Sequence, residues 1–195
     1  YNDPTLYISL ATIYTEEKDT NKALSYIEIG RQRFDSNRDL MNEELDLYIK
    51  RGNTDALLAK IDKAIESDPE RDMLYYIRGN LFEKKKNYDK AIADYKKVIE
   101  LNPDNFDAQY NIGAVVFNQG AEIINAASNI KDDAKYQKEK KRGEDKIKES
   151  LPFLERAHEI NPKDLNTMSI LKQLYVRTNS TEKYNQIKAE MEAAK

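Results

Sequence analysis

The chain has 195 residues, 39% hydrophobic and 34% charged, with a formal net charge of -3 and no cysteine. This suits a folded chain with much exposed surface, while the acidic balance (pI about 5.5) argues against a nucleic-acid binder, whose affinity would rest on Lys and Arg against phosphate. Without cysteine there are no disulfides, zinc ribbons or thiol catalysis, and no apolar run approaches the roughly 18–20 residues of a membrane span, residues 112–117 being typical of the longest. The chain opens at Tyr1 with neither an initiator Met nor a signal sequence. It therefore reads as a fragment or processed form, with upstream repeats and any targeting segment expected outside it.

Taken in chain order, the elements keep a fixed period. Tyr14, Tyr48 and Phe82 stand 34 residues apart, and Val116 falls at the next step; Gly79 is matched by Gly113, and Pro69 by Pro103. A period of this length predicts stacked helix pairs. Asp3-Pro4 supplies a cap residue and a first-turn proline for the first helix. Further along, residues 72–85 carry Tyr75, Gly79 and Phe82 on one helical face, and residues 88–101 carry Ala91, Ile92, Tyr95, Val98 and Ile99 on another. Asn87 lies between them as a turn and cap residue, and Asn102-Pro103 stops the second helix. The same hairpin can be placed at Pro4, Arg38, Asp72, Phe106 and Leu165, giving units of about 4–37, 38–71, 72–105, 106–164 and 165–195 within a single domain over 1–195. Small residues mark the close helix crossings: Ala11, Gly79 and Gly113 in first helices, and Ala23, Ala64, Ala91 and Ala157 in second helices.

The fourth unit is stretched. Its second half is recognised by Leu154, Ala157 and Pro162, 25 residues later than the period requires. The added residues are rich in Ala, Lys, Glu and Asp, with Gly143 as an internal breaker, and a turn over residues 128–133 is capped by Asp132 or Asp133. The expectation is two long antiparallel helices, 106–128 and 133–160, protruding by about 18 Å at about 1.5 Å per residue. Pro152 should bend the returning helix near Glu149 or leave a poorly formed turn there. Residues 131–149 hold eight basic and six acidic side chains, which reads first as a solvated tip. A docking arm or oligomer contact is the second reading, to be decided by the exposure of Ile123, Ile124, Ile130 and Ile147.

These residues resemble the tetratricopeptide repeat (TPR) family along essentially the whole chain. The third unit fits best, through Tyr75, Gly79, Phe82, Tyr88, Ala91, Tyr95 and Pro103; the second matches at Tyr48, Gly52, Ala64 and Pro69 but has Leu45 where a small residue is usual. The first unit ends in Phe34-Asp35 rather than proline, and the fifth has Lys172 at the small position and Tyr184 in place of alanine. The resemblance implies an all-α, right-handed superhelical solenoid of about five hairpins, the fourth elongated. A family of near-identical period binds RNA, but the acidic balance and the lack of a basic face disfavour it.

The resemblance also places first helices along a concave groove. The residues there would be Tyr76, Asn80 and Lys84 in the third unit, Tyr110, Asn111, Ala114, Phe117 and Asn118 in the fourth, and Gln173, Val176 and Arg177 in the fifth. Aromatic rings with amides suit an extended peptide, although Tyr76, Tyr110 and Phe117 could equally pack between hairpins. Family members that clamp the acidic C-termini of heat-shock chaperones use two asparagines with several cations. Asn80 and Asn111 fall on the asparagine positions, but Tyr76, Asn166 and Ile170 replace the cations, which excludes that function.

Other chemistry is scarce. His158 is the single histidine, so neither a histidine metal cluster nor a Ser-His-Asp relay can form, and packing or partial exposure is its expected role. Asp39, Glu43 and Asp46 could share one helix face as a solvated acidic patch. Glycine-rich phosphate loops are absent, and Asn179-Ser180-Thr181 reads as the turn and cap of the last helix rather than a glycosylation acceptor. The function expected is therefore a non-catalytic protein-interaction scaffold, without cofactor or metal, that binds a protein or peptide and no nucleic acid, with no membrane span in this fragment. The alternative is a structural or oligomerisation element of the cell envelope acting through the protruding hairpin 117–150, with the chain as a homo-oligomer. High Tyr, Asn and Lys content resembles bacterial members of the family, several of which work in the envelope; that association favours the envelope over the cytoplasm and leaves localisation open.

Overall fold

The computed structural model describes residues 3–35 and 37–193, which form eleven α-helices and no strand. They divide into two compact units that meet in sequence between Asn87 and Tyr88.

The first unit holds α1 (Pro4–Glu16), α2 (Thr20–Arg33), α3 (Arg38–Lys50), α4 (Thr54–Ser67) and α5 (Asp72–Lys84). Three of the five starts carry a side-chain cap. Asp3 accepts from the Thr5 N–H at 2.9 Å, with Pro4 in the first turn; Asp19 accepts from the Lys22 N–H at 3.1 Å and Asn37 from the Leu40 N–H at 2.9 Å. The Thr5 hydroxyl, donating to Asp3 at 2.7 Å, and then the Thr5 N–H lower the Asp3 carboxyl, and the Lys22 N–H lowers that of Asp19. Tyr7, Ala11, Ala23, Leu24, Ile27, Leu40, Leu45 and Leu47 form the core, with Tyr14, Phe34 and Ile49 packed on its edge.

The 34-residue period has a backbone counterpart. Lys18, Gly52 and Lys86, again 34 apart, adopt left-handed φ of 62°, 75° and 58°. The next N–H in each case donates back five residues: Asp19 to the Tyr14 carbonyl at 2.8 Å, Asn53 to Tyr48 at 3.0 Å, and Asn87 to Phe82 at 2.8 Å. This is the helix-terminating bond that satisfies an orphan carbonyl. The periodic aromatics are therefore the acceptors of the turn as well as its packing residues. In the α5 turn the left-handed residue is Lys86.

The second unit holds α6 (Tyr88–Leu101), α7 (Phe106–Ala127), α8 (Asp133–Glu149), α9 (Leu151–Ile160), α10 (Leu165–Arg177) and α11 (Thr181–Ala193). Here Val116, the next step of the period, is buried inside α7 rather than ending a helix, and α7 runs 22 residues. Asp132 caps α8 by accepting from the Lys135 N–H at 2.9 Å. Of the two outcomes expected at Pro152, a bend or a poorly formed turn, the returning limb shows the break: it is two helices, interrupted at Ser150. Pro152 has no N–H to continue the ladder. Ser150, fully buried, instead donates from its hydroxyl to the Ile147 carbonyl at 2.6 Å and keeps a helical φ of -73°. Gly143 is not a breaker. It lies buried within α8 against Gly120 of α7, where a Cβ on Gly120 would stand 2.7 Å from the Gly143 carbonyl oxygen. Gly113 similarly receives Leu154 of α9, whose Cγ would be 2.5 Å from an added Cβ. Phe117, Ile147, Leu154, Met168, Leu171, Leu174, Tyr175 and Ile187 make the core. The last turn repeats the earlier ones, with Asn179 at φ 53° and the Ser180 N–H donating to the Tyr175 carbonyl at 2.9 Å.

Candidate interaction surface

On α5, Tyr76 and Asn80 are buried, at 5% and 8% exposure, and Lys84 is exposed and paired with Asp46. That pairing also takes one member out of the acidic set Asp39, Glu43 and Asp46. On α7, Tyr110 is half-buried, stacked on Phe106 with centroids 6.0 Å apart, and packed on the core. Asn111 and Ala114 are half-buried and Asn118 is exposed, whereas Phe117 belongs to the core itself. On α10, Gln173 and Arg177 are exposed and Val176 is 60% exposed. Together with Lys172 and Tyr184 they line an open cleft of about 310 Å³.

The isoleucines of the long hairpin are not displayed. Ile147 is 1% exposed and Ile124 packs on the core; Ile123 and Ile130 are half-buried and line a cleft of about 490 Å³ beside Tyr88 and Gln119. The charges of α8 pair along its own surface, including Arg142 with Glu139 at 3.0 Å and Lys146 with Glu149 at 2.8 Å. Exposed pairs of this kind add little stability.

One arrangement has no signature in the sequence. Around α9, α10 and α11, His158 Nε2 lies 2.7 Å from Glu190 Oε2, the Tyr175 hydroxyl donates to Glu155 at 3.1 Å, and Lys183 donates to the same carboxylate at 2.6 Å. Burial, and then the Glu155 charge, push the Tyr175 hydroxyl far above its ordinary value, so it stays a donor at all working pH. The residues come from three helices, and no local spacing announces the set. In the first unit, burial raises the Glu44 carboxyl while Arg31, 3.1 Å away, partly offsets it. Among the described residues there is no group of His, Asp and Glu able to hold a metal, and no helix long and apolar enough to cross a membrane.

Comparison with known proteins agrees with this architecture. Residues 79–120 match the family model described as TPR repeat. Human protein O-mannosyl-transferase TMTC1 is 33% identical over 73 residues, which is 35% of this chain and only 8% of the human protein's length. A crystal structure of MamA protein superimposes with a TM-score of 0.56 at 16% identity, covering 98% of this chain and 91% of that one. YrrB, described as a TPR protein with an unusual peptide-binding site, gives 0.52 at 15% identity over 100% of this chain and 87% of its own. Pseudomonas aeruginosa PilF gives 0.58 at 14% identity over 98% and 76%. At such identities the likeness is one of fold. With residues 79–120 matching the repeat in sequence and the helical-hairpin architecture matched along the chain, the fold is the all-α solenoid of tetratricopeptide repeat proteins.

Proposed function

We propose that the chain is a non-catalytic scaffold that binds a protein or peptide on the faces of its first helices. The observation that carries this reading is the split character of α7. Its inward positions Ile112, Gly113 and Val116 are buried, while Tyr110, Asn111, Ala114 and Asn118 stay half-buried or exposed on successive turns. Ring and amide groups in that setting can cover an apolar side chain and bond an extended backbone. Gln173 and Arg177 present similar groups on α10, and within the first unit Tyr76, Asn80 and Lys84 stand on α5. Burial makes Tyr76, Asn80 and Phe117 supports of the surface rather than its contact points.

The test is affinity capture from native extract with the intact chain and with a Tyr110→Ala/Asn118→Ala variant. A protein held by the intact chain and lost from the variant supports the surface; equal retention by both refutes it. The oligomeric alternative draws no support from the hairpin, whose isoleucines face inward or line a cleft. Sedimentation of the intact chain is accordingly expected to give a monomer, and a dimer abolished by deleting 121–147 would favour that alternative instead.

A further inference from the structure

We infer that the open cleft of the last hairpin takes a segment of a partner protein in which an apolar side chain stands beside an acidic one. This rests on the scaffold reading and names the chemistry of its guest.

Lys172, Gln173, Val176 and Arg177 fall at i, i+1, i+4 and i+5 on α10, and Tyr184 of α11 completes the lining. Behind them Leu171, Leu174 and Tyr175 are buried at 0%, 0% and 6%, so the inner face of α10 is already satisfied. Val176 nevertheless stands 60% exposed, ahead of Ile13, Leu165 and Ile29 among the exposed large hydrophobic residues. The half-buried Tyr184 ring extends this apolar strip.

The charge around the strip has one sign. Lys172 and Arg177 have no ion-pair partner among the described residues, and the lining contains no carboxylate. Lys183, also on α11, is by contrast taken by Glu155 at 2.6 Å. In a chain of net charge -3 this is a locally cationic cleft with an apolar floor. An apolar side chain laid on Val176 and Tyr184 would place a neighbouring carboxylate within reach of Arg177 and Lys172, a charge-assisted contact, and the Gln173 amide can bond the guest backbone. A basic segment would bring like charges together.

The experiment is a nuclear magnetic resonance titration of the nitrogen-15-labelled intact chain. Its probe is a capped Gly-Glu-Phe-Glu-Gly peptide, run beside analogues carrying Lys for Glu or Ala for Phe. Saturable shifts are expected at residues 172–184 with the acidic aromatic peptide alone. Binding should weaken about tenfold or more in a Lys172→Gln/Arg177→Glu variant, and Val176→Asp, an exposed change compatible with folding, should weaken it comparably. Equal binding of the lysine peptide, or no saturable shift with the acidic one, overturns the inference. Shifts confined to α7 between Tyr110 and Asn118 also overturn it while leaving the scaffold reading intact. That reading falls separately, if the capture experiment gives equal retention.

Discussion

Substituting Gly120 by alanine tests the close approach of α7 and α8. In an open helix this change is favourable by about 1 kcal/mol, because glycine loses more backbone freedom on folding. Here the added Cβ would lie 2.5 Å from Ile147 Cγ1, 2.7 Å from the Gly143 carbonyl oxygen and 2.8 Å from the Ile147 nitrogen. Two of those three atoms are backbone, so a rotamer change cannot relieve the clash. Restoring contacts of about 3.5 Å requires the helices to part by about 0.7 Å, which weakens dispersion along the seam. Overpacking of this kind costs about 1–3 kcal/mol, and the rigid backbone places the site towards the upper end. After the helix-propensity gain, the net loss should be about 1–2 kcal/mol. For a chain of this size that lowers the melting temperature by roughly 2–8 °C, at about 2–4 °C per kcal/mol. Thermal unfolding followed by circular dichroism reads the change. Gly52→Ala is the control: nothing lies within 4 Å, and its cost, about 1–2 kcal/mol, comes from φ +75° alone. A Gly120→Ala protein more stable than the parent would refute the packing of α7 on α8 at this point.

Glu44→Gln should act in a pH-dependent way. Burial raises the Glu44 pKa above its ordinary 4.5, so the folded state holds the proton more tightly than the unfolded state. The stability linked to that proton is full below the unfolded value and is lost as pH rises through the folded one. The melting temperature of Glu44→Gln relative to the parent should therefore climb from mildly acid to neutral pH; a falling difference would show that the Arg31 pairing outweighs desolvation. Asp132→Ala removes the side chain that accepts from the Lys135 N–H at 2.9 Å and should cost about 1 kcal/mol. Hydrogen exchange should show the loss concentrated in the first turn of α8, and unchanged protection there would refute the capping role.

Helix positions were legible because their causes are local. Pro4, Asp72, Phe106 and Leu165 each open a helix, and Pro152 interrupts one within two residues of itself. Gly143 was misread for the opposite reason. A glycine in a helical pattern looks like a breaker until the partner helix is known, and that partner, Gly120, lies 23 residues earlier across a turn. The surface was half legible. Period places Tyr110, Asn118 and Arg177 on first helices, but it cannot say that the elongation of α7 brings Ile147 and Leu154 over Phe117 and draws that ring inward. The cluster of His158, Glu190, Tyr175, Glu155 and Lys183 had no periodic trace, since each contact joins positions 20 to 32 residues apart in sequence.

That cluster gives the molecule a built-in reporter. His158 is the chain's one imidazole; its Nε2 touches Glu190 of α11 while Nδ1 is sealed away without a protein partner. That contact ties the surroundings of the ring to α11. A lone, unoverlapped ring resonance thus registers whether the terminal helix is seated, with no probe attached and no residue changed.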